Sequence, residues 1–464
     1  MKPHFARTLP PDLVDIIIGF AQADSISNPN DVAEMQNDRD DTNDQVEKRK
    51  GKEREKRAVP LLLTLGLVCK TWLALSRRHF FLDRDAFFNG RDKQKQVLLF
   101  LAILSGQKRL PNLPHILSFI TRPVVTIYEG WPSERSYIAE LLVVLLEKMS
   151  ARKTHFRPQH LTLVLQTTLH PHVIRALSMT FSTINTLLVT TDTGHSHNST
   201  DVIQLITSFP DLQAAEIDYR QMNGGGLLGI SGYCLQDSLN FISFDLGGIR
   251  DSETLSLLTE WLESNPTAHS IRSLDFLSVS IRHKDFIQSF LAICPNLENL
   301  WIGADTHRLS ANPKQVIDKY MFDLTSLTRL RFFGLEMVPI KDGSIILNTF
   351  ARTVQTIKSP GTSVVLRFSL RDYIRVPHGW WSPVDQAMSE LPQDVTFRIR
   401  ALRPYFRKEV TEEFKIRNQE GIIRKVGALF PRTEEQSRLV VCPEFWDDTE
   451  FRMDFYDCDF VRAY

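Results

Sequence analysis

The strongest constraint on the fold of this chain is an apolar pattern that repeats through its centre. The motif apolar-x-x-apolar-x-apolar occurs six times, and successive copies start 28, 27, 32, 26 and 30 residues apart. The copies are Ile184/Leu187/Val189, Leu212/Ala215/Ile217, Leu239/Ile242/Phe244, Ile271/Leu274/Phe276, Leu297/Leu300/Ile302 and Leu327/Leu330/Phe332. Apolar residues that alternate with other residues over a short run indicate a β-strand with one buried side.

Segments with the spacing of amphipathic helices lie between the copies and beside them. Several begin with a polar cap or a proline, as at Asp251-Ser252 and Asn312-Pro313, which is typical of a helix start. The predicted helices are Pro171 to Phe181, Ser199 to Ser208, Ser252 to Glu263, Lys284 to Ile293, Pro313 to Phe322 and Asp342 to Thr353. Regular alternation of strand and helix predicts a β/α solenoid, with a curved parallel sheet and outer helices, rather than a closed barrel or a doubly wound sheet.

Less regular copies extend this array on both sides, at Leu161 to Leu165, Val364 to Leu370 and Val395 to Ile399. Upstream, a strand-like segment at Val124 to Ile127 lies between two predicted helices, Gln94 to Leu104 and Glu134 to Met149. The sequence therefore predicts a helical connector and first repeat at 91–150, the solenoid at 151–403 and a C-terminal cap at 404–464.

The balance of charges argues against partners that are attracted by a global field. Fifty-five Lys and Arg residues face 55 Asp and Glu residues, so we expect neither a nucleic acid nor a membrane as partner. The five cysteines have no metal or redox spacing, and the longest apolar run, Leu61 to Val68, is too short to span a bilayer. Asp12 and Asp15 interrupt the N-terminal apolar run, so no signal peptide is expected. These features predict a cytoplasmic or nuclear location.

A charged segment at 22–57 differs from the rest of the chain in composition. It contains almost no aromatic or branched residues, so it is predicted to be disordered. Its acidic residues come first, and a basic stretch follows from Lys48 to Arg57. The basic stretch has the composition of a nuclear import signal, and a solvated linker of mixed charge is the alternative interpretation.

Two short amphipathic segments flank this charged insert. The first begins Leu9-Pro10-Pro11-Asp12-Leu13, with proline at its start and further apolar residues at helical spacing. The second, Leu61 to Phe81, contains Val68-Cys69-Lys70-Thr71-Trp72 followed by Leu75. Both segments are predicted to form short helices that pack together.

Read together, the two segments resemble an F-box, whose Leu-Pro-x-Asp-Leu start and Val-Cys-Lys-x-Trp motif they match. The resemblance covers a helical unit at 5–90 and departs from the family in the long insert. It implies docking on a Skp-type adaptor and, through the adaptor, on a cullin ubiquitin ligase. The residues that it places at the adaptor are Leu9, Pro10, Leu13, Ile17, Val68, Cys69, Trp72 and Leu75. The alternative is that Cys69 and Trp72 fill the core of a helical hairpin.

The array resembles the divergent leucine-rich repeats of F-box proteins from filamentous fungi. The resemblance implies an α+β chain in which a small F-box helical unit precedes a leucine-rich-repeat-like solenoid. It also implies a substrate receptor, in which the array holds a protein destined for ubiquitination. The alternative is a repeat scaffold that binds proteins without ligase association.

Strand alternation places the residues between the apolar positions on the concave side of the predicted solenoid. Aromatic and cationic residues concentrate there around Trp301. The predicted substrate-binding residues are Phe241, Asp245, Asp275, Trp301, Arg329, Arg331 and Phe333. The alternative is that a neighbouring loop buries Trp301 or Phe333.

No group of residues in the sequence indicates catalysis. The histidine pairs His170/His172 and His195/His197 lack a carboxylate or cysteine at ligand spacing, so no metal is predicted. The run Gly224-Gly225-Gly226 is not followed by the Lys-Ser/Thr of a phosphate loop. The sequence therefore predicts a non-catalytic protein without a cofactor.

Overall fold

The computed structural model of the chain describes residues 86–88, 116–120, 122–127, 135–152, 156–165, 169–191, 197–218, 222–223, 233–249, 252–305, 321–338, 343–369, 377–404 and 412–446. The chain divides into two compact units, Met1–Leu187 and Leu188–Tyr464. The predicted helix at Gln94 to Leu104, the predicted helix at Pro313 to Phe322 up to residue 320, and the charged insert lie outside the described residues.

Three parallel strands and two α-helices make up most of the described part of the first unit. The strands β1 (Ala86–Phe88), β2 (Pro123–Ile127) and β3 (His160–Leu165) are paired in this order. The helices are α1 (Arg135–Ser150) and α2 (Pro171–Thr180), and a short 3-10 helix covers Ile116–Phe119. Strand β4 (Thr186–Thr191) begins at the end of this unit.

Helix α2 shows how local sequence and packing combine in the first unit. Proline occupies its first turn, and Nδ1 of His170 accepts a hydrogen bond from the backbone N–H of His172 at 3.4 Å. The hydroxyl of Thr180 donates to the carbonyl of Leu146 in α1 at 2.8 Å. The side chain of a residue in the last turn therefore connects the two helices.

The second unit repeats a strand-then-helix arrangement along the chain. Its strands are β5 (His197–Asn198), β6 (Ala214–Asp218), β7 (Met222–Asn223), β8 (Phe241–Asp245), β9 (Ser273–Val279), β10 (Asn299–Asp305), β11 (Phe332–Val338), β12 (Ser363–Ser369), β13 (Thr396–Pro404) and β14 (Leu439–Trp446). Its α-helices are α3 (Ser199–Thr207), α4 (Ser252–Glu263), α5 (Lys284–Ile293), α6 (Gly343–Gln355), α7 (Ser382–Glu390), α8 (Glu412–Gly427) and α9 (Pro431–Glu435). Short 3-10 helices cover Leu246–Gly248, Pro266–Ser270, Ile281–His283 and His378–Trp380.

Strand order in the second unit follows chain order. Strands β5 and β7 form a separate parallel pair, whereas β6, β8, β9, β10, β11, β12, β13 and β14 lie side by side and are all parallel. From β6 to β13, successive strands of this sheet begin 27, 32, 26, 33, 31 and 33 residues apart. The prediction of a parallel sheet whose strands alternate with helices is confirmed.

One side of this sheet, which we call the core face, consists of unbroken apolar rows. The strand register aligns Ala215, Ile242, Leu274, Leu300, Phe333, Val364 and Phe397 in one row. The next row on the same face is Ile217, Phe244, Phe276, Ile302, Leu335, Leu366 and Ile399. All of these side chains are buried. Burial of two aligned rows across seven strands supplies the main hydrophobic stabilisation of the unit.

The helices pack on the core face through aromatic contacts. Phe290 of α5 meets Phe276 and Phe244 edge to face, with ring centroids 5.6 and 5.7 Å apart. In α6, Phe350 stacks on Phe333 at 6.1 Å, and Phe430 meets Phe397 at 5.4 Å. Edge-to-face and offset pairs of this kind add about 0.5–1.5 kcal/mol each beyond area burial.

A repeated backbone contact fixes the register at the start of each strand. The N–H groups of Arg272 and Ser273 both donate to the carbonyl of Asn240, at 2.9 Å each. The same arrangement recurs one repeat later, where Glu298 and Asn299 donate to the carbonyl of Arg272 at 2.8 and 2.9 Å. Each strand is therefore aligned on its predecessor before the regular ladder begins.

Most predicted elements agree with the structure to within a few residues. The predicted helices Ser252 to Glu263 and Lys284 to Ile293 have the observed bounds of α4 and α5, in agreement with the apolar spacing of both segments. The degenerate copies predicted around residues 161, 364 and 395 correspond to β3, β12 and β13. The sheet also continues beyond residue 403, since β14 pairs in parallel with β13 inside the segment predicted as a cap.

The sixth predicted copy of the apolar pattern lies three residues too early in the chain. The prediction used Leu327, Leu330 and Phe332, whereas the positions that match the other copies in the sheet are Leu330, Phe333 and Leu335. The error arises because Leu327 is also buried and stands three residues before Leu330, which imitates the start of the motif. Phe332 consequently lies on the opposite side of the sheet from Phe333.

None of the described helices is long and apolar enough to cross a membrane.

Candidate functional site

The second side of the unit-two sheet, which we call the strand face, carries charged and aromatic residues in place of apolar rows. Its central row runs from β6 to β13 through Glu216, Ser243, Asp275, Trp301, Gly334, Val365 and Arg398. The rows on either side contribute Phe241, Asn299 and Phe332, and Asp218, Asp245, Leu277, Glu336, Arg367 and Arg400. Parallel pairing in chain order brings these distant residues into one surface.

The first strands of this face carry acidic residues, at Glu216 and Asp218 on β6, Asp245 on β8 and Asp275 on β9. The carboxylate of Asp245 accepts a hydrogen bond from the N–H of Gly247 at 3.0 Å and so caps the 3-10 helix that follows β8. Asp275, in contrast, lies in the middle of its strand. Within this group, Asp245 therefore has a structural role as a helix cap.

The environment of Asp275 opposes a negative charge. Removal of the carboxyl group from water raises its pKa well above the ordinary value, and the nearby carboxylates of Glu216 and Glu336 raise it further. Its Oδ1 atom is shielded from solvent and has no hydrogen-bond partner among the described residues. A carboxyl group in this setting gains from the approach of a positive group or a hydrogen-bond donor.

Two neighbours of Asp275 in the central row also have buried polar atoms. Ser243 is 1% exposed, and within the described part of the chain its hydroxyl oxygen lacks a hydrogen-bond partner. On the other side, the Nε1–H of the half-buried Trp301 has no acceptor in that part of the chain. The register places Ser243, Asp275 and Trp301 directly beside one another on three adjacent strands.

The indole of Trp301 is held flat against the sheet. Its ring stacks on Phe332 with centroids 5.9 Å apart and planes inclined by 13°. The ring also lies over Gly334, where a Cβ atom would collide with Cε3 of Trp301. Glycine at this position is required by the close approach of the ring to the backbone.

The last strands of the face carry arginines, at Arg367 on β12 and at Arg398 and Arg400 on β13. Nη1 of Arg367 lies 3.5 Å from Oε2 of Glu336, and their side chains are only 13% and 9% exposed. Arg398 is exposed. The strand face therefore changes sign along the sheet, from carboxylates through an aromatic centre to guanidinium groups.

A second ionic group lies where the strands begin. Glu298 accepts a hydrogen bond from Arg272 at 3.0 Å, and Arg331 approaches its other carboxylate oxygen at 3.7 Å. The Arg331 side chain is 78% exposed, so this contact is open to water. Arg329 is exposed nearby.

The predicted substrate-binding residues fall into three groups. Phe241, Asp275 and Trp301 lie together on the strand face, whereas Asp245 caps a turn at its edge. Arg329 and Arg331 are exposed before the start of β11. The prediction that Phe333 faces outward is wrong, because this residue is 1% exposed and packs on Phe350 of α6.

Because the sixth predicted copy of the apolar pattern is misplaced, the predicted binding residues omit several that lie on the strand face. Phe332, Gly334 and Glu336 lie there instead of Phe333, and the arginines of β12 and β13 are further residues of this face outside the predicted set. The alternation of Val364, Leu366 and Phe368 carries the signal that places Arg367 on this side. The same alternation in β13 places Arg398 there.

The residues predicted to dock the adaptor all lie outside the described residues. They are Leu9, Pro10, Leu13, Ile17, Val68, Cys69, Trp72 and Leu75.

Metal and nucleophile chemistry finds little support in the described part of the chain. It contains no group of three or more His, Cys, Asp or Glu residues arranged to hold a metal ion. His170 and His172 stack on each other at 5.0 Å at the start of α2. Burial raises the pKa of the Cys294 thiol to about 12, so this cysteine is a poor nucleophile at neutral pH.

The sequence matches no protein-family model and no curated protein sequence. Among solved structures, the fold is similar to that of the leucine-rich repeat-containing protein LegL7 from Legionella pneumophila, with a TM-score of 0.41 and 13% sequence identity. The similarity covers 70% of this chain and 91% of the LegL7 chain.

Proposed function

We propose that this chain is a non-catalytic protein-binding subunit that holds its partner on the strand face. One observation carries the proposal, namely the change from acidic to aromatic to basic residues across aligned strands of a single sheet side. The seven strands from β6 to β13 span about 29 Å at the usual strand spacing. A surface of this length matches a protein segment better than a small molecule.

The change from negative to positive charge along the strand face determines the orientation of the bound segment. Basic residues of the partner are attracted to the β6 to β9 end, and acidic residues are attracted to the arginines of β12 and β13. Complementary charges of this kind steer association and exclude partners with the opposite arrangement. Trp301, at the centre, offers the large aromatic contact that concentrates interface energy.

The more specific proposal is that this subunit is the substrate receptor of a Skp/cullin/F-box ubiquitin ligase. Its support is the sequence resemblance of Leu9-Pro10-Pro11-Asp12-Leu13 and Val68-Cys69-Lys70-Thr71-Trp72 to an F-box. In this proposal the N-terminal segments dock the Skp-type adaptor and the strand face presents the substrate. A binding scaffold without ligase association is the alternative, and the strand face is equally compatible with it.

An adaptor pull-down separates the two functions. The purified full-length chain is expected to retain a Skp-type adaptor, and the double variant Leu13→Asp plus Trp72→Ala is expected to lose it. Thr71→Ala is the matched control, because Thr71 occupies the variable position of the Val-Cys-Lys-x-Trp motif. If the folded wild-type chain fails to retain the adaptor, the ligase proposal is wrong and the scaffold alternative stands.

A charge-reversal experiment tests the strand face itself. The double variant Glu216→Lys plus Arg398→Glu reverses both ends of the face and leaves the net charge unchanged. The double variant Glu260→Lys plus Arg424→Glu makes the same exchange on exposed helix residues. Quantitative affinity purification is expected to lose interactors with the first variant and keep them with the second. Equal retention by both variants would place the binding surface elsewhere.

A further inference from the structure

Some buried polar side chains of the second unit are fully paired and others keep an atom without a hydrogen-bond partner, but among the described residues only the central row of the strand face has three such atoms side by side on adjacent strands. Asn265, for example, accepts a hydrogen bond from the N–H of Leu235 at 2.7 Å and donates to the carbonyl of Trp261 at 2.6 Å. Ser243, Asp275 and Trp301, which we call the Asp275 row, each keep a buried polar atom without a partner in the described structure. Buried polar atoms are normally paired, so three unpaired ones side by side indicate a missing binding partner.

The charge around the Asp275 row determines the sign of that partner. Asp275 lies beside Ser243 on the same strand face as Glu216, and the carboxylate of Glu336 also acts on it. Among the described strand-face residues from β6 to β11, none is basic. The nearest arginine of the face, Arg367, belongs to β12, about 14 Å from β9 at the usual strand spacing, and it is paired with Glu336. The row is therefore suited to a cation that comes from outside.

The geometry of Trp301 favours a basic side chain over a metal ion. A lysine or arginine has an aliphatic stem that packs on an indole and a cationic head that interacts with it. The Nε1–H of Trp301 also needs an acceptor, which a peptide carbonyl supplies and a metal ion does not. Phe332 and Gly334 hold the indole in place before any ligand arrives.

Resting on the protein-binding function proposed above, we infer that the Asp275 row binds a lysine or arginine side chain of the partner. The cationic head donates hydrogen bonds to Oδ1 of Asp275 and to the hydroxyl oxygen of Ser243. Its stem lies against the indole of Trp301, whose N–H donates to a backbone carbonyl of the same partner segment. The bound cation favours the ionised carboxylate of Asp275, which releases its proton to solvent, and offsets the repulsion from Glu216 and Glu336.

Selection from a displayed library of random 12-residue peptides on the purified full-length chain tests this inference. Peptides that compete at the strand face are identified by loss of binding to the Glu216→Lys plus Arg398→Glu variant. They are expected to share one basic residue, and replacing it with norleucine should weaken binding to the wild type by about 30-fold or more. Parallel peptides with lysine, arginine or acetyl-lysine at that position show which head group is preferred.

The variant Asp275→Asn tests whether the basic residue of the peptide binds at the Asp275 row. With this variant the norleucine replacement should change affinity by less than about threefold, because the charge that it removes no longer has its partner. Ser243→Ala is the second variant, and Glu260→Gln, which removes an exposed helix carboxylate, is the control. Circular dichroism verifies that each variant is folded.

The remaining outcomes separate this inference from the proposed function. The inference would be overturned if the strand-face peptides shared no basic residue. It would also be overturned if the norleucine replacement weakened binding equally in the wild type and in Asp275→Asn. Either result would leave the protein-binding function intact. If the library yields no strand-face peptide, both the inference and the proposed binding surface are wrong.

Discussion

The two sides of the unit-two sheet are built from the same strands and follow opposite rules. On the core face every row is apolar, and helix residues such as Phe290 and Phe350 fill the space above it. On the strand face neighbouring strands differ in charge and size, and polar atoms of the Asp275 row lack partners in the described structure. Repetition therefore secures the fold on one side and leaves the other side free to specialise.

Phe332 and Phe333 bring this contrast to adjacent residues of one strand. Phe333 belongs to a core row that continues through β10 and β12, whereas Phe332 stacks on Trp301 on the strand face. The same side-chain type thus supports the fold at one position and a binding surface at the next.

The largest difference in stability between the two faces is expected when these two phenylalanines are replaced. Phe333→Ala should lower the free energy of unfolding by about 3–5 kcal/mol, because it leaves a cavity among buried rings. Phe332→Ala removes a half-buried ring and should cost about 1 kcal/mol. Denaturant unfolding of the full chain, monitored by circular dichroism, measures both. Equal losses would mean that the strand face is as important to the fold as the core face.

The next largest effect is expected from a substitution beneath the indole of Trp301. Gly334→Val places side-chain atoms where the indole lies, so the ring must move and the protein should lose about 1–3 kcal/mol of stability. Gly303→Ala is the matched control in the neighbouring strand, because its new Cβ would be 3.6 Å from its nearest neighbours. Tryptophan fluorescence should shift in the first variant and remain unchanged in the second. A stable Gly334→Val protein with an unchanged spectrum would contradict the flat placement of the indole.

Only part of this arrangement is accessible from sequence. The alternation in Ile242-x-Phe244 and the prolines and caps of the helices are local, so strand and helix positions could be predicted. The placement of Trp301 over Gly334 depends on the register between strands that begin 33 residues apart, which no local pattern specifies. The pairing of Arg367 with Glu336 depends on the same lateral register.

Errors in the prediction also have a physical origin. Leu327 packs in the core from a turn before β11, and a spacing rule cannot separate such a residue from the first position of the motif. A shift of three residues then exchanges the two faces, because side chains alternate with a period of two. The shifted copy therefore predicts Phe333 on the binding surface and Phe332 in the core, the reverse of the observed arrangement.

A smaller, pH-dependent effect is expected at Asp275. Its raised pKa means that the folded state keeps a proton that the unfolded state has lost, so stability falls as pH rises from the ordinary value through the raised pKa. Each unit of the shift corresponds to about 1.4 kcal/mol. Asp275→Asn should lack this contribution and gain stability relative to wild type as pH rises.

Unfolding experiments between pH 4 and pH 8 measure this difference, with Asp285→Asn on an exposed position of α5 as the control. The carboxylates of Glu216 and Glu336 face the same group, so replacing either with glutamine should reduce the pH dependence. A wild-type and Asp275→Asn difference that stays constant with pH would argue against a destabilised carboxyl group.

The smallest effect is expected where the strand face meets solvent. The side chains of Arg272 and Glu298 are 58% and 18% exposed, so their ion pair should contribute less than about 1 kcal/mol. A double-mutant cycle with Arg272→Ala and Glu298→Gln measures the coupling, which should shrink further as salt is added. A large, salt-independent coupling would show that this edge is part of the fold rather than of the surface.

Because the strands of this sheet follow one another in chain order, the order of chemical groups on the strand face is also their order in the sequence. An in-frame loss of the repeat that contains β9 and α5 would remove Asp275 and place Ser243 directly beside Trp301, while the apolar rows would close over the gap. Duplication of the same repeat would add a second acidic position. Exchange of a whole repeat can therefore change the residues of the strand face in a single genetic step, while the apolar rows of the core face stay intact.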